Sequence, residues 1–468
     1  MTLSGYEYCK IVVGTPSSSG DVIQLSEKAF NNLWNFVIDN QGGEDSDKVL
    51  SIGKTNGARY IRANRFVGTI QTKDGQVIEI LPKIAKGNTD NDRAKARSVF
   101  RKMLSSCYGH EAKRIADVGL ETERDFPIFD YYIQRYLEEV ERLIISGIKK
   151  NYSRKQANEP FLKGKLLVRK QITRNVTDKA HFRIEYSKYI EDIPQNRIVV
   201  STLRKLSKTA ADRSLSARCI RLLAVLDGIP GSSNITSDLE SSLASNRLFE
   251  DYTNLITWSS QFLLNRGFTS FKGETVNCAL LFDAAKLFEG YIARLFRKYA
   301  SDFVISSQDT THYFIHKLIE NQDRIMPLFR LRPDIVAKPK KPGARLVIVD
   351  TKWKTLNDSK KSGISIQDLY QLYAYGHKYS VSDSFPVLVL IYPAVQPGET
   401  GTHYLYDLKN EVIGQGGSDD NPIGLMVSKF ELNASEEDYA RQIQGIFNAC
   451  QAFAVDIDSK RFKEFIEV

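Results

Sequence analysis

The chain has 468 residues, 42% hydrophobic and 26% charged, proportions that fit ordinary globular domains and exclude a disordered, collagenous or membrane-embedded chain. Sixty-five basic against 56 acidic residues leave a net +9, which favours a polyanionic partner without requiring one. Cys9, Cys107, Cys219, Cys278 and Cys450 are odd in number, far apart and without a Cys-x-x-Cys pair, so neither a disulfide framework nor a zinc site is expected and a reducing, cytoplasmic setting fits.

The opening MTLSGYEYCKIVVG lacks a basic segment followed by a long apolar one, so no secretory signal is expected. The most apolar run, 385–395, is interrupted by prolines and far too short to span a membrane. Residues 1–90 read as a small β-rich domain, with Val67–Ile70 and Val77–Leu81 flanking a Lys-Asp-Gly turn as a hairpin. Gly53-Lys54-Thr55 has the form of the end of a phosphate loop, but Lys48 stands where the first glycine belongs, and no nucleotide is expected to bind this chain.

Residues 91–270 read as mainly helical, because Arg93–Leu104, Ile128–Ile145, Asn196–Lys205, Ser216–Leu226 and Ser242–Leu264 repeat apolar residues at the helical period. Gly228–Asp238 reads as a loop. Between the second and third helices lies a non-helical, basic insert at 149–175, with Lys149, Lys150, Arg154, Lys155, Lys163, Lys165, Arg169, Lys170 and Arg174 against Glu159 alone. Such a stretch fits phosphates along DNA, and fits a solvated β-ribbon or linker equally well.

Residues 271–468 hold the chemistry. Leu281–Tyr299 has a helical apolar stripe with Glu289 at its edge. Leu328–Ala337 and Arg345–Lys352 read as strands of a hairpin around a Pro/Gly-rich turn at 338–343. Alternation along the second strand sends Asp350 and Lys352 to one side and Thr351 to the other. Its apolar run, Leu346–Val349, suggests a central strand buried on both faces, where a carboxylate and an ammonium are costly unless they pair or meet a metal.

Asp334, Asp350 and the backbone carbonyl of Thr351 form an oxygen set suited to Mg²⁺, with Mn²⁺ as a substitute and Glu289 as a further ligand. Lys352 would orient a water or stabilise developing charge. A bare surface hairpin with an Asp/Lys pair, and a solvated glutamate, fit the same residues. Ser365 and Asp368 form a capping box opening a helix that carries Gln367, Gln371, Tyr375 and Lys378 on one face. His312 and His316 would share a helical face, but their surroundings are as strand-like as helical and no metal pair is expected. Pro386–Tyr392 reads as another buried strand, Leu405 and Val412 lie in weaker strand-like segments, and Glu436–Phe453 reads as a terminal helix.

Pro333-Asp334, Asp350-Thr351-Lys352 and Gln371-x-x-x-Tyr375, following a helix with Glu289, resemble the PD-(D/E)XK nuclease core. Asp350-Thr-Lys-Trp-Lys354, Asp368-Leu-Tyr-Gln-Leu-Tyr-Ala-Tyr-Gly376, Gly164-Lys-Leu with Asn175, and Asn196-Arg197 resemble the McrC family, over roughly residues 60 to 395. The resemblance implies an α+β and α/β chain: a β-rich N-terminal docking domain, a helical middle with the basic insert, and a nuclease core of mixed sheet flanked by helices. It implies a Mg²⁺-dependent DNA endonuclease subunit of a modification-dependent or related restriction system, with Asp334, Asp350, Lys352, Glu289, Gln371 and Tyr375 as catalytic residues. The implied partners are DNA and a hexameric McrB-like AAA+ GTPase, on which the N-terminal part and the insert dock. A stand-alone repair-type nuclease with the same core and a non-catalytic adaptor are the alternatives.

Overall fold

The computed structural model describes residues 2–39, 49–72, 74, 76–84, 89–108, 128–210, 212–243, 247–264, 276–319, 324–354, 356, 363–380, 385–394, 402–405 and 423–459. The first part comprises β1 (Thr2–Val13), β2 (Ser17–Ser18), β3 (Gly20–Leu25), α1 (Glu27–Asp39), β4 (Leu50–Thr55), β5 (Ala58–Ala63), β6 (Phe66–Thr72) and β7 (Val77–Leu81). The expected hairpin is β6 with β7, paired from Gly68↔Ile80 to Gln71↔Val77. Gly53-Lys54-Thr55 ends strand β4. Phe30, Leu33, Phe36 and Val37 of α1, at helical spacing, are buried together with Ile23, Ile61, Ile70 and Ile80 of the sheet.

The middle part comprises α2 (Asp90–Tyr108), α3 (Ile128–Ser146), β8 (Asn151–Glu159), β9 (Lys165–Leu166), α4 (Val168–Arg174), β10 (Phe182–Ile190), α5 (Pro194–Thr209), α6 (Arg213–Val225), α7 (Ile235–Leu243), a 3-10 turn at Arg247–Tyr252 and α8 (Thr253–Leu264). Three expectations need correction. The insert is not free of helix, since α4 lies within it, tied to β10 by the Gln171 side chain, which accepts from Arg183 N at 2.6 Å and donates to His181 O at 3.0 Å. The loop expected to reach Asp238 gives way to α7 at Ile235. The single helix expected over 242–264 is broken, Phe249 having non-helical dihedrals inside the 3-10 turn.

The chain then returns to the N-terminal sheet. Residues 276–283, expected to lie beyond the boundary at 270, form β11 (Val276–Asp283), antiparallel to β6, so the sheet order is β11-β6-β7-β1-β3-β2 with β5 joining β1 to β4. Asp283 ends that strand and caps α9 (Ala284–Tyr299), accepting from Ala285 N at 3.0 Å while Arg65 pairs with it at 2.8 Å. The helix expected from Leu281 therefore starts three residues later.

The last part comprises β12 (Phe303–Ser307), β13 (Tyr313–Ile319), β14 (Arg324–Arg330), β15 (Ile335–Pro339), β16 (Val347–Thr351), α10 (Ile366–Lys378), β17 (Val387–Pro393), β18 (Thr402–Leu405), β19 (Gly424–Phe430) and α11 (Glu436–Ser459). Its six-stranded mixed sheet has the order β12-β15-β16-β17-β19-β18, with β15 antiparallel to β16 and β16 parallel to β17. The hairpin is present, but its first strand, expected as Leu328–Ala337, is two. Phe329 takes a left-handed φ of 54° and β14 pairs with β13 as a separate ribbon; Pro333, which lacks an N–H, precedes β15. Both histidines belong to that ribbon or its base rather than to a helix. Val412 lies outside the described residues.

Alternation decides which helix each strand residue meets. Val347 and Val349 share a buried cluster with Leu287, Phe288, Ile443 and Phe447 of α9 and α11, whereas Ile348 joins Leu372 and Tyr375 of α10 on the opposite face. Among the described residues no helix is long and apolar enough to cross a membrane.

Candidate active site

Strand β16 carries Asp350 into the protein as the fourth residue of a run whose first three are wholly buried, and the carboxylate residue itself is 1% exposed. The register pair Ile335↔Val349 sets Asp334, one residue before β15, opposite Asp350. Asp334 Oδ2 accepts from both the backbone N–H and the hydroxyl of Thr351, each at 2.7 Å. Lys352 continues past the strand, where its N–H donates to Ile391 O of β17 at 2.9 Å and its ammonium pairs with Asp350 Oδ2.

Helix α10 covers this end of the sheet because Ser365 caps it, accepting from Gln367 N at 3.3 Å, and because Leu372 and Tyr375 bury the face toward Ile348. Gln371 joins the charged pair: its carbonyl accepts from Lys352 at 3.2 Å, and its amide lies 3.4 Å from Asp350 Oδ1 and 2.8 Å from Tyr375 Oη. Glu289 of α9 lies on the other side, accepting from Gln308 Nε2 at 2.8 Å.

Electrostatics tie these groups together. Burial pushes the Asp350 carboxyl up to about 7, the Asp334 charge adding to the rise and the Lys352 ammonium opposing it. Burial likewise raises Asp334, tempered by the two Thr351 hydrogen bonds, and raises Glu289, with Asp334 adding to it. Desolvation would lower Lys352, but Asp350, Asp368 and Asp334 together outweigh it and the ammonium is held above its ordinary range. Burial, with the nearby acids, pushes Tyr375 up to about 12. The result is a buried Asp350 raised by the half-buried Asp334 beside it and balanced by one lysine, an arrangement a hard cation would relieve. Among the described residues no three His, Cys, Asp or Glu stand close enough together to form a complete ligand set.

Of the residues expected to form the site, Asp334, Asp350, Thr351, Lys352, Gln371 and Tyr375 are brought into contact, and Glu289 approaches electrostatically through Asp334. The cations expected to meet DNA lie on the arm built from β8, β9, β10 and α4, except Lys149 and Lys150, which precede β8 at its base. Several are engaged there: Lys149 with Asp251 at 2.9 Å, Lys150 with Glu191 at 3.0 Å, Lys163 with Glu159 at 3.6 Å, and Lys170 with Gln156. Arg154, Lys155, Lys165 and Arg169 are exposed on the arm. Phe161, Leu162, Val168, Ile172 and Tyr189 are exposed there too, each at 56% or more.

Two participants escaped sequence reasoning. Asp368, read as half of a capping box and as the head of a motif that resembles the McrC family, binds Lys354 at 2.6 Å and lies 3.8 Å from Lys352; neither pattern points to the lysines. Glu7 of β1, whose carboxylate meets the indole of Trp353, gave no local signal at all.

The family model of the McrBC 5-methylcytosine restriction system component matches residues 61–393 of this chain. Among solved structures, the chain is similar to one from a refined half-complex of a tetradecameric assembly of Thermococcus gammatolerans McrB AAA+ hexamers with bound McrC. The two are 18% identical with a TM-score of 0.64, and the match covers 95% of this chain and 100% of that one, so they share a fold. A chain of the cryo-EM structure of the Thermococcus gammatolerans McrBC complex is 20% identical, with a TM-score of 0.47, over 65% of this chain and 89% of that one. No curated protein matches.

Proposed function

The chain belongs to the family of McrBC 5-methylcytosine restriction system components, and from that premise we propose that it is the nuclease subunit of such a system, a Mg²⁺-dependent DNA endonuclease with a PD-(D/E)XK core. One observation carries the reading: Asp334, Asp350, Lys352 and Gln371 converge where β15 begins and β16 ends, beneath α10. Asp334 and Asp350 would hold Mg²⁺, or Mn²⁺ in its place, with the Thr351 carbonyl beside them and Glu289 as the further ligand. One or two carboxylates are the usual protein share of a Mg²⁺ site, the rest being waters and substrate phosphate, so the donor set fits even though Glu289 is engaged with Gln308. When bound, the ion supplies Lewis acidity at the scissile phosphate and lowers the pKa of a water.

The chain's own residues do the rest. Lys352, held protonated by its acidic neighbours, acts as a cation that offsets charge on the phosphate and orients the attacking water, not as a base that takes its proton. Gln371 spans Lys352 and Asp350 and fixes the distance between them, and Tyr375 holds Gln371.

The partner, by likeness to the assembly of McrB AAA+ hexamers with bound McrC, is a hexameric McrB-like AAA+ ring; that the ring hydrolyses GTP and that DNA is the substrate are what the family resemblance implies. The arm serves that docking rather than the DNA: large apolar side chains exposed on it, Phe161, Leu162, Val168 and Ile172, suit a protein interface. Phe161→Asp with Leu162→Asp should weaken binding to the ring about tenfold or more and leave the melting temperature unchanged, measured by titrating labelled chain with the partner.

The decisive experiment is cleavage of methylated and unmethylated plasmid in Mg²⁺ by the wild-type chain and by Asp350→Ala, with and without the AAA+ partner and GTP. Cutting that needs the partner and is lost in the variant supports the proposal. Cutting by the chain alone favours a stand-alone repair-type nuclease. Equal behaviour of the two chains under every condition leaves only the adaptor reading.

A further inference from the structure

Trp353 follows Lys352 directly, and its indole is held by a residue 346 positions away. Glu7 of β1 takes the Nε1–H on both carboxylate oxygens, at 3.0 and 3.1 Å, and accepts from Lys83 N at 2.9 Å as well. The ring of Trp353 packs against Phe288, with centroids 5.3 Å apart, and Phe288 precedes Glu289 on α9. The segment 352–354 has other ties: Lys352 N to Ile391 O, Lys354 N to Lys352 O, and the Lys354 ammonium to Asp368 of α10. Those ties stay within the six-stranded sheet and its helix, whereas the tie to Glu7 comes from the N-terminal sheet.

We infer that Glu7 is a positioning residue for the candidate nuclease: through Trp353 it fixes Lys352 against Asp350 and makes the N-terminal sheet part of the catalytic frame. The inference rests on the nuclease reading above. The Glu7 side chain accepts from two N–H groups while only 3% exposed, so the contact belongs to the interior, where a lost acceptor would leave both donors unpaired. Burial pushes it up to about 7 despite those hydrogen bonds, with Asp283 adding to the rise and Lys83 opposing it. Holding both the N–H and the ring face leaves the indole little freedom, and with it the backbone beside Lys352. Catalytic geometry is sensitive on this scale, since a misplacement of about 1 Å can cost on the order of a hundredfold in rate.

The test compares Glu7→Gln, Glu7→Leu, Trp353→Phe and the double variant Glu7→Leu with Trp353→Phe, each in the full chain assembled with its AAA+ partner, with Asp350→Ala as the control. Glu7→Leu and Trp353→Phe should each lower kcat about tenfold with KM for DNA unchanged, the double variant should be no slower than either single one, and Glu7→Gln, which keeps an acceptor, should restore most of the rate. Independently of activity, the Trp353 indole N–H resonance should move in Glu7→Leu and stay near its wild-type position in Glu7→Gln. If Glu7→Leu melts early, Trp353→Phe, which keeps an aromatic ring on Phe288, decides the question. Wild-type kcat in folded Trp353→Phe, multiplicative losses in the double variant, or an indole resonance indifferent to Glu7→Leu would overturn the inference. Cleavage that survives Asp350→Ala would instead overturn the nuclease reading, while the indole resonance still reports on the contact.

Discussion

Two carboxylates in this protein have nearly the same burial and the same elevated pKa, about 7, and differ in everything that surrounds them: Asp350 at the end of β16 and Glu7 in β1. Asp350 faces a second acid, Asp334, and a lysine, so its charge belongs to a cluster that gains from a cation. Glu7 faces an indole N–H and a backbone N–H, and its hydrogen bonds are already made. A raised carboxyl pKa therefore marks burial in both places, and the reacting centre proposed above in only one. Its partners make the distinction, because like charges that share a site can be relieved by a metal whereas N–H donors can only hold.

The sharpest break of this comparison is Asp350→Ala, which should lower cleavage on the order of a thousandfold while leaving the fold intact, measured as single-turnover plasmid nicking beside a thermal melt. Glu7→Gln should leave the rate nearly unchanged and alter stability instead. Burial raises Glu7 from an ordinary 4.5 to about 7, so the native chain holds that proton more tightly than the unfolded chain does. The resulting stability is complete below the ordinary value and is lost as pH rises through about 7, a difference of roughly 3 kcal/mol at 1.36 kcal/mol per unit. Glu7→Gln should remove that loss, so its melting temperature should gain on wild type steadily across this window and level off above it.

A smaller effect tests whether the two acids of the site are coupled. Asp334→Asn removes the like charge beside Asp350, so the Asp350 carboxyl should titrate lower while Mg²⁺ affinity falls by about ten- to a hundredfold, read by carbon-detected NMR and by calorimetric titration. An unmoved Asp350 would mean that burial alone sets its pKa and that the contrast with Glu7 is one of position only. Least is expected of Tyr375→Phe, which removes a partner of Gln371 and should cost kcat a few-fold, about the worth of one hydrogen bond.

Much of the candidate site was legible because its parts are local. The apolar run before Asp350 announces a strand buried on both faces, the Pro/Gly turn announces the hairpin, and Ser365 announces the start of α10; β16, its antiparallel pairing with β15 and the cap are all present. The division of Leu328–Ala337 was not legible, since β14 and the start of β15 are equally strand-prone and only the left-handed Phe329 and the placement of Pro333 separate them. In the basic insert the local charge balance overstates the free cations, because Asp251 and Glu191, which pair with Lys149 and Lys150, lie outside 149–175.

What the sequence determined by itself was therefore everything that depends on near neighbours along the chain: the alternation that puts Asp350 on the face opposite Val349, the helical spacing that puts Gln371 beside Tyr375, and the family of which these motifs are a signature. Tertiary structure alone decided that β11 returns to the first sheet and that Glu7 meets Trp353. Strand pairing and buried hydrogen bonds are chosen by which surfaces fit once the chain has collapsed, and no residue period encodes a contact across 346 positions.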